Sequence, residues 1–93
     1  MSTFTEFTVQ ASTLQRDHIS VVEIVRQALL EKDVEFIFDS ISSTFVDATV
    51  QITICGRLCA ESLFAVRVLE HMYKRLKAKN VQFEINVHRL DLY

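Results

Sequence analysis

Residues 58–79 constrain this chain more than any other stretch. Leu63, Val66, Leu69, Met72, Tyr73 and Leu76 recur at spacings of three and four, the repeat that puts side chains on one face of a helix. Arg67, Glu70, His71, Lys74, Arg75, Lys77 and Lys79 fall mostly on the other face. The pattern predicts one long helix over 58–79, closed by Asn80, a residue that tolerates the left-handed turn ending a helix. A helix with one apolar face must lie against something, and the rest of the chain reads as a sheet built for it.

Four stretches alternate with a period of two. In 4–11, Phe7, Val9 and Ala11 oppose Glu6, Thr8 and Gln10. In 34–39, Val34, Phe36 and Phe38 oppose Glu35, Ile37 and Asp39. In 45–55, Val46, Ala48, Val50, Ile52 and Ile54 alternate with Asp47, Thr49, Gln51 and Thr53. In 81–88, Val81, Phe83, Ile85 and Val87 oppose Gln82, Glu84, Asn86 and His88. Between the first two lies a second helical repeat over 19–32, with Ile19, Val22, Val25, Ala28 and Leu29 inward, widened by Val21 and Ile24. Thr13 or Asp17 is positioned to cap it. Ile41–Thr44 is expected to form a polar hairpin loop. Gly56 is expected to break the third strand, and the shifted alternation after residue 89 suggests a bulge or a tail packed elsewhere.

The order β-α-β-β-α-β, with right-handed crossovers, resembles the ferredoxin-like α/β sandwich across nearly the whole chain. That resemblance implies a four-stranded antiparallel sheet with two helices on one face, in a single domain spanning 1–93. The fold hosts many unrelated functions, so motifs must decide. The glycine-bearing loop and anion-binding arginine of acylphosphatases are missing, as are the Cys-x-x-Cys of copper chaperone domains and the RNA-recognition aromatics.

With one glycine and no proline, no glycine-rich phosphate loop can form. Two cysteines make no disulfide framework. No basic-then-apolar leader opens the chain and no apolar run spans a membrane, so a cytoplasmic setting without membrane contact is expected. Charge is uneven. Residues 1–55 carry eight acids against three bases, whereas residues 56–80 carry six bases against two acids.

The sheet face left open by the helices is expected to show Glu6, Thr8, Gln10, Glu35, Ile37, Asp39, Asp47, Thr49, Gln51, Thr53, Gln82, Glu84, Asn86 and His88. Without aromatic rings or bases there, single-stranded RNA has nothing to stack on or pair with. The face reads either as merely solvated, as one side of an antiparallel sheet commonly is, or as a surface for a protein partner, on Glu6, Thr8, Gln10, Glu35, Asp39, Asp47, Thr49, Gln51, Glu84 and His88. Arg67, Lys74, Arg75, Lys77 and Lys79 form a basic strip able to hold anions, although cations in a helix's last turns also serve its dipole. Cys55, Cys59 and His71 are too loosely spaced for a zinc site and read instead as small buried thiols and a surface histidine. The hydroxyl-rich 39–44 segment reads as a glycine-free turn. His88 has no nucleophile identifiable beside it.

No catalytic constellation, cofactor or metal site is therefore expected. The chain reads as a small binding protein acting through protein–protein contacts: a regulator or inhibitor, for example of the compact kind that phages direct against host defences. Free edge strands favour a homodimer. The alternatives are a small-molecule sensor and an anion or nucleic-acid binder working through the second helix.

Overall fold

The computed structural model describes residues 4–79 and 81–89. Strand β1 is Thr5–Leu14, helix α1 His18–Glu31, strand β2 Glu35–Val46, strand β3 Thr49–Cys59, helix α2 Ser62–Lys77 and strand β4 Gln82–Arg89, with a short 3₁₀ turn, Gln15–Asp17, leading into α1. The sheet is antiparallel throughout in the order β2-β3-β1-β4. This is the four-stranded, two-helix α+β sandwich expected. Asn80, the expected helix terminator, and the side chain of Ile19 lie outside the described residues, as does the chain after Arg89.

The core follows from the alternation. Phe7, Val9 and Ala11 of β1 and Val50, Ile52, Ile54 and Leu58 of β3 are buried against Val21, Val25, Ala28 and Leu29 of α1 and Ala65, Val68, Leu69, Met72 and Leu76 of α2. Each fully buried Leu, Ile or Phe contributes roughly 1.5–3 kcal/mol. Phe83 and Ile85 of β4 and Phe36 and Phe38 of β2 pack at the two margins.

Several boundaries differ from expectation. Strand β3 runs through Gly56 to Cys59, pairing Leu58 with Thr5 on one side and Phe36 on the other. The helix therefore begins at Ser62, preceded by Glu61 in an extended conformation. Strand β2 does not stop at Asp39. A bulge there lets Phe38 oppose Gly56 and Ser40 oppose Cys55, which reverses the parity, so Ile41, Ser43 and Phe45 continue on the side of Phe36 and Phe38. The expected 41–44 loop is thus strand. The reversal is instead a two-residue turn at Asp47 and Ala48, where Asp47 takes φ 54° and Thr49 Oγ1 donates to the Val46 carbonyl at 2.8 Å. Asp17 occupies the N-cap position of α1 without a side-chain capping bond, while Thr13 is in β1.

The face of α2 is also rotated from the expected one. At about 100° per residue, Ala65, Val68, Leu69, Met72 and Leu76 form the buried arc. Leu63, Val66 and Tyr73, expected inside, are exposed. The expected stripe 63-66-69-72-73-76 and the buried one 65-68-69-72-76 share Leu69, Met72 and Leu76 and both recur at helical spacing, so periodicity alone does not choose between them.

Candidate functional site

Three surfaces have the geometry to bind something. The first is the open sheet face. Glu6, Thr8 and Gln10 of β1, Thr49, Gln51 and Thr53 of β3, and Glu84 of β4 share it by register, as does Glu35 of β2. Asp47 does not, because it sits in the turn at the hairpin tip. The extension of β3 adds Cys55, Arg57 and Cys59 to this face. Arg57 Nη2 lies 3.0 Å from Asp39 Oδ1, the bulged residue, and its guanidinium lies 5.8 Å from the Phe4 ring. The expectation of a face without aromatic or basic side chains is therefore corrected at one corner. Among the described side chains, one ring and one base that is already paired give no row of stacking platforms.

Beside that corner, Thr8 Oγ1 hydrogen-bonds His88 Nε2 and lies 3.8 Å from Cys55 Sγ. Thr8 has one proton to give. A chain in which His88 Nε2–H donates to Thr8 and Thr8 donates to the sulfur satisfies both contacts, and it assigns His88 the Nε2-protonated tautomer. The hydrogen-bond partner of His88 on this face is thus a threonine. The cysteines are not buried at a strand–helix junction either, since Cys55 is half-buried and Cys59 exposed, both free. His71 lies in the helix layer, on the other side of the sheet, so these three residues cannot share a metal. Among the described residues no cluster of three or more His, Cys, Asp or Glu side chains is grouped for a metal ion.

The second surface is the flank formed by α2 and β4. Leu63 is 63% exposed, Tyr73 48% and Val87 47%. Tyr73 and Val87, with Val66 and Ile85, border an apolar groove of about 330 Å³ whose rim carries Glu70 and Lys74; Leu63 lies further along the same side of α2 by helical phase. The Tyr73 ring meets Phe83 edge-on at 5.0 Å, and Lys77 Nζ sits 5.8 Å above it. Among the described residues the outer backbone edge of β4 has no partner strand.

The third is a cavity of about 500 Å³ where the first half of α1 faces the end of α2, lined among others by Asp17, Glu23, Ile24, Arg75, Lys79 and Val81. The expected basic strip divides here. Arg75 and His71 turn toward α1, where Arg75 Nε is 3.5 Å and His71 Nε2 2.9 Å from Glu31 Oε1. The hydrogen bond from His71 holds the Glu31 carboxyl below its ordinary range, aided by the positive charge of Arg75. Arg67, Lys74 and Lys77 point elsewhere by helical phase, so the five bases do not form one anion site. This cavity and the α2–β4 groove were not foreseen, because each combines residues from distant parts of the chain.

No known protein family matches the chain, and no curated protein matches it. Solved structures do. The C-terminal domain of the MgtC protein from Mycobacterium tuberculosis superposes with a TM-score of 0.69 at 11% identity, over 90% of this chain and 87% of that one. A protein described as a glycine cleavage system transcriptional repressor gives 0.66 at 17% identity, over 96% of this chain and 49% of that one. An ACT domain protein from Streptococcus pneumoniae gives 0.58 at 15% identity, over 89% of each. At such identities the likeness establishes the fold alone. No helix among the described residues is long and apolar enough to cross a membrane.

Proposed function

We propose that the chain is a small, non-catalytic regulatory or binding domain that acts through protein–protein contacts and works as a homodimer. The observation that carries this reading is the stripe Leu63, Val66, Tyr73 and Val87, exposed along one flank of a 93-residue chain. Contiguous exposed apolar surface of this kind marks interaction sites. A second copy suits the flank in two ways. The free edge of β4 can pair with its own twofold mate, abolishing an aggregation-prone edge. Glu70 and Lys74, one turn apart on the rim, give a twofold contact opposite charges to set against each other. The polar sheet face then remains for a partner protein, with Glu6, Glu35, Asp39 and Glu84 to steer a basic surface. The same architecture is used by proteins named as a transcriptional repressor and as an ACT domain protein, a fold-level analogy that lends weight to a regulatory role.

Two charged double variants separate the surfaces. Leu63→Glu with Tyr73→Glu should abolish self-association and leave the fold intact, while Gln10→Arg with Thr53→Arg should leave the dimer unchanged and weaken capture of a basic partner. Loss of the dimer in the sheet-face variant alone would move the self-association site to the sheet.

A second reading, a small-molecule sensor, is favoured by the cavity of about 500 Å³ between the helices, a volume in the range of ligand sites.

A further inference from the structure

We infer that the cavity between α1 and the end of α2 binds a small organic anion, a carboxylate with an apolar body. The inference rests on the sensor reading and adds the charge and shape of the ligand.

The argument is one of uncompensated charge. Four ionisable side chains line the cavity: Asp17, Glu23, Arg75 and Lys79. Both acids already have a cation from their own segment. Glu23 Oε1 receives Arg26 Nη1 at 3.1 Å, and Asp17 Oδ2 lies 3.6 Å from Arg16 Nε. The two bases are less occupied. Arg75 comes nearest Glu31 through Nε, at 3.5 Å, and Glu31 is shared with His71. Arg75 also lines the cavity, where its guanidinium fork has the geometry that grips a carboxylate. Lys79 has no ion-pair partner among the described residues. The wall contributed by α2 is therefore positive, and the acids opposite do not cancel it.

The remaining lining sets the ligand's body. Val21 is fully buried, Ile24 and Val81 are half-buried, and all three border the cavity, with Thr13, Ser20 and Gln27 offering neutral hydrogen-bonding groups. An inorganic ion would leave that apolar floor unused. A neutral ligand would leave two cations without an acceptor. A carboxylate joined to a hydrocarbon of several carbons satisfies both.

The test uses 3-phenylpropanoate and its shape-matched neutral counterpart, 3-phenylpropanamide, titrated to millimolar concentration into the isotopically labelled full chain. Amide resonances are followed by NMR. The expected result is saturable binding of the carboxylate with shifts centred on Ser20, Val21, Ile24 and Val81. Affinity should fall roughly tenfold or more with the amide, and likewise in Lys79→Gln and Arg75→Gln, the scale of losing a hydrogen bond to a charged group. Equal binding of acid and amide in this cavity would overturn the anionic ligand and keep the sensor reading. Binding of neither would overturn both. Unchanged carboxylate affinity in both variants, with melting temperatures showing that each is folded, would overturn the assignment of the charged wall.

Discussion

Phe7 and Gly56 oppose each other across β1 and β3, and the ring of Phe7 occupies the space that a side chain at Gly56 would need. A Cβ built on Gly56 would lie 2.9 Å from Phe7 Cζ and 3.0 Å from the Ile37 carbonyl oxygen. The only glycine of the chain is there for close approach between strands. It makes no turn, and its φ is not positive. Gly56→Ala should therefore destabilise the fold by about 1–3 kcal/mol, as overpacking of a core does. Phe7→Leu should cost less in that background than alone, because the two residues share one space. Urea denaturation, with the midpoint falling at unchanged slope, checks both. An alanine variant as stable as the wild type would contradict the packing.

Thr5 faces the helices opposite Leu58, fully buried, and its hydroxyl has no hydrogen-bond partner among the described residues. Leaving a buried hydroxyl unpaired costs about 1–3 kcal/mol. Thr5→Val keeps the shape and removes the polar atom, so it should raise the urea midpoint by the equivalent of about 1 kcal/mol. A lower midpoint would mean that the hydroxyl has a partner in solution.

Lys32 is the C-cap of helix α1, and Asp33 beyond it takes φ 53°, with its N–H donating to the Leu30 carbonyl at 3.1 Å. This is the left-handed C′ position where glycine is preferred. Asp33→Gly should raise thermal stability by about 0.5 kcal/mol. The same exchange at Glu35, which lies in strand β2, should lower it.

Glu31 anchors the contact between the two helices at its exposed rim, accepting a hydrogen bond from His71 and ion-pairing with Arg75. Its carboxyl is held below its ordinary range chiefly by the His71 hydrogen bond. A depressed carboxyl adds stability above its unfolded value and loses it as pH falls through the folded value. The wild type should therefore exceed Glu31→Gln in melting temperature at neutral pH. The gap should close as pH falls through the carboxylate range, near 4 and below. A gap that persists or widens in acid would show that the ion pair does not couple the helices.

The fold was legible because its core is written in clean periods. Val50, Ile52 and Ile54 alternate without interruption, and Val25, Ala28 and Leu29 sit at helical spacing. What misled was local. Gly56 looks like a strand breaker until Phe7 is placed beside it, which requires the β1–β3 register. The 39–44 segment lacks an apolar period because the bulge at Asp39 shifts its parity and because half of β2 is exposed on both faces. The α2 stripe was misphased because Leu63, Val66 and Tyr73 are as apolar as the residues truly buried. An interaction surface and a core face share that property, and only the position of β4 separates them. The cavity was illegible for a simpler reason: Asp17 and Lys79 are far apart in sequence, and only the fold brings the first half of α1 against the end of α2.

The mass of the protein in solution at micromolar concentration, by light scattering on a sizing column, tests the central claim most directly. A homodimer built on the α2–β4 flank predicts a species of twice the 10.8 kDa chain mass, collapsing to the single chain mass in Leu63→Glu with Tyr73→Glu while far-ultraviolet circular dichroism stays unchanged. A wild-type protein that runs at the single chain mass, or a dimer that survives both charged substitutions, would contradict it.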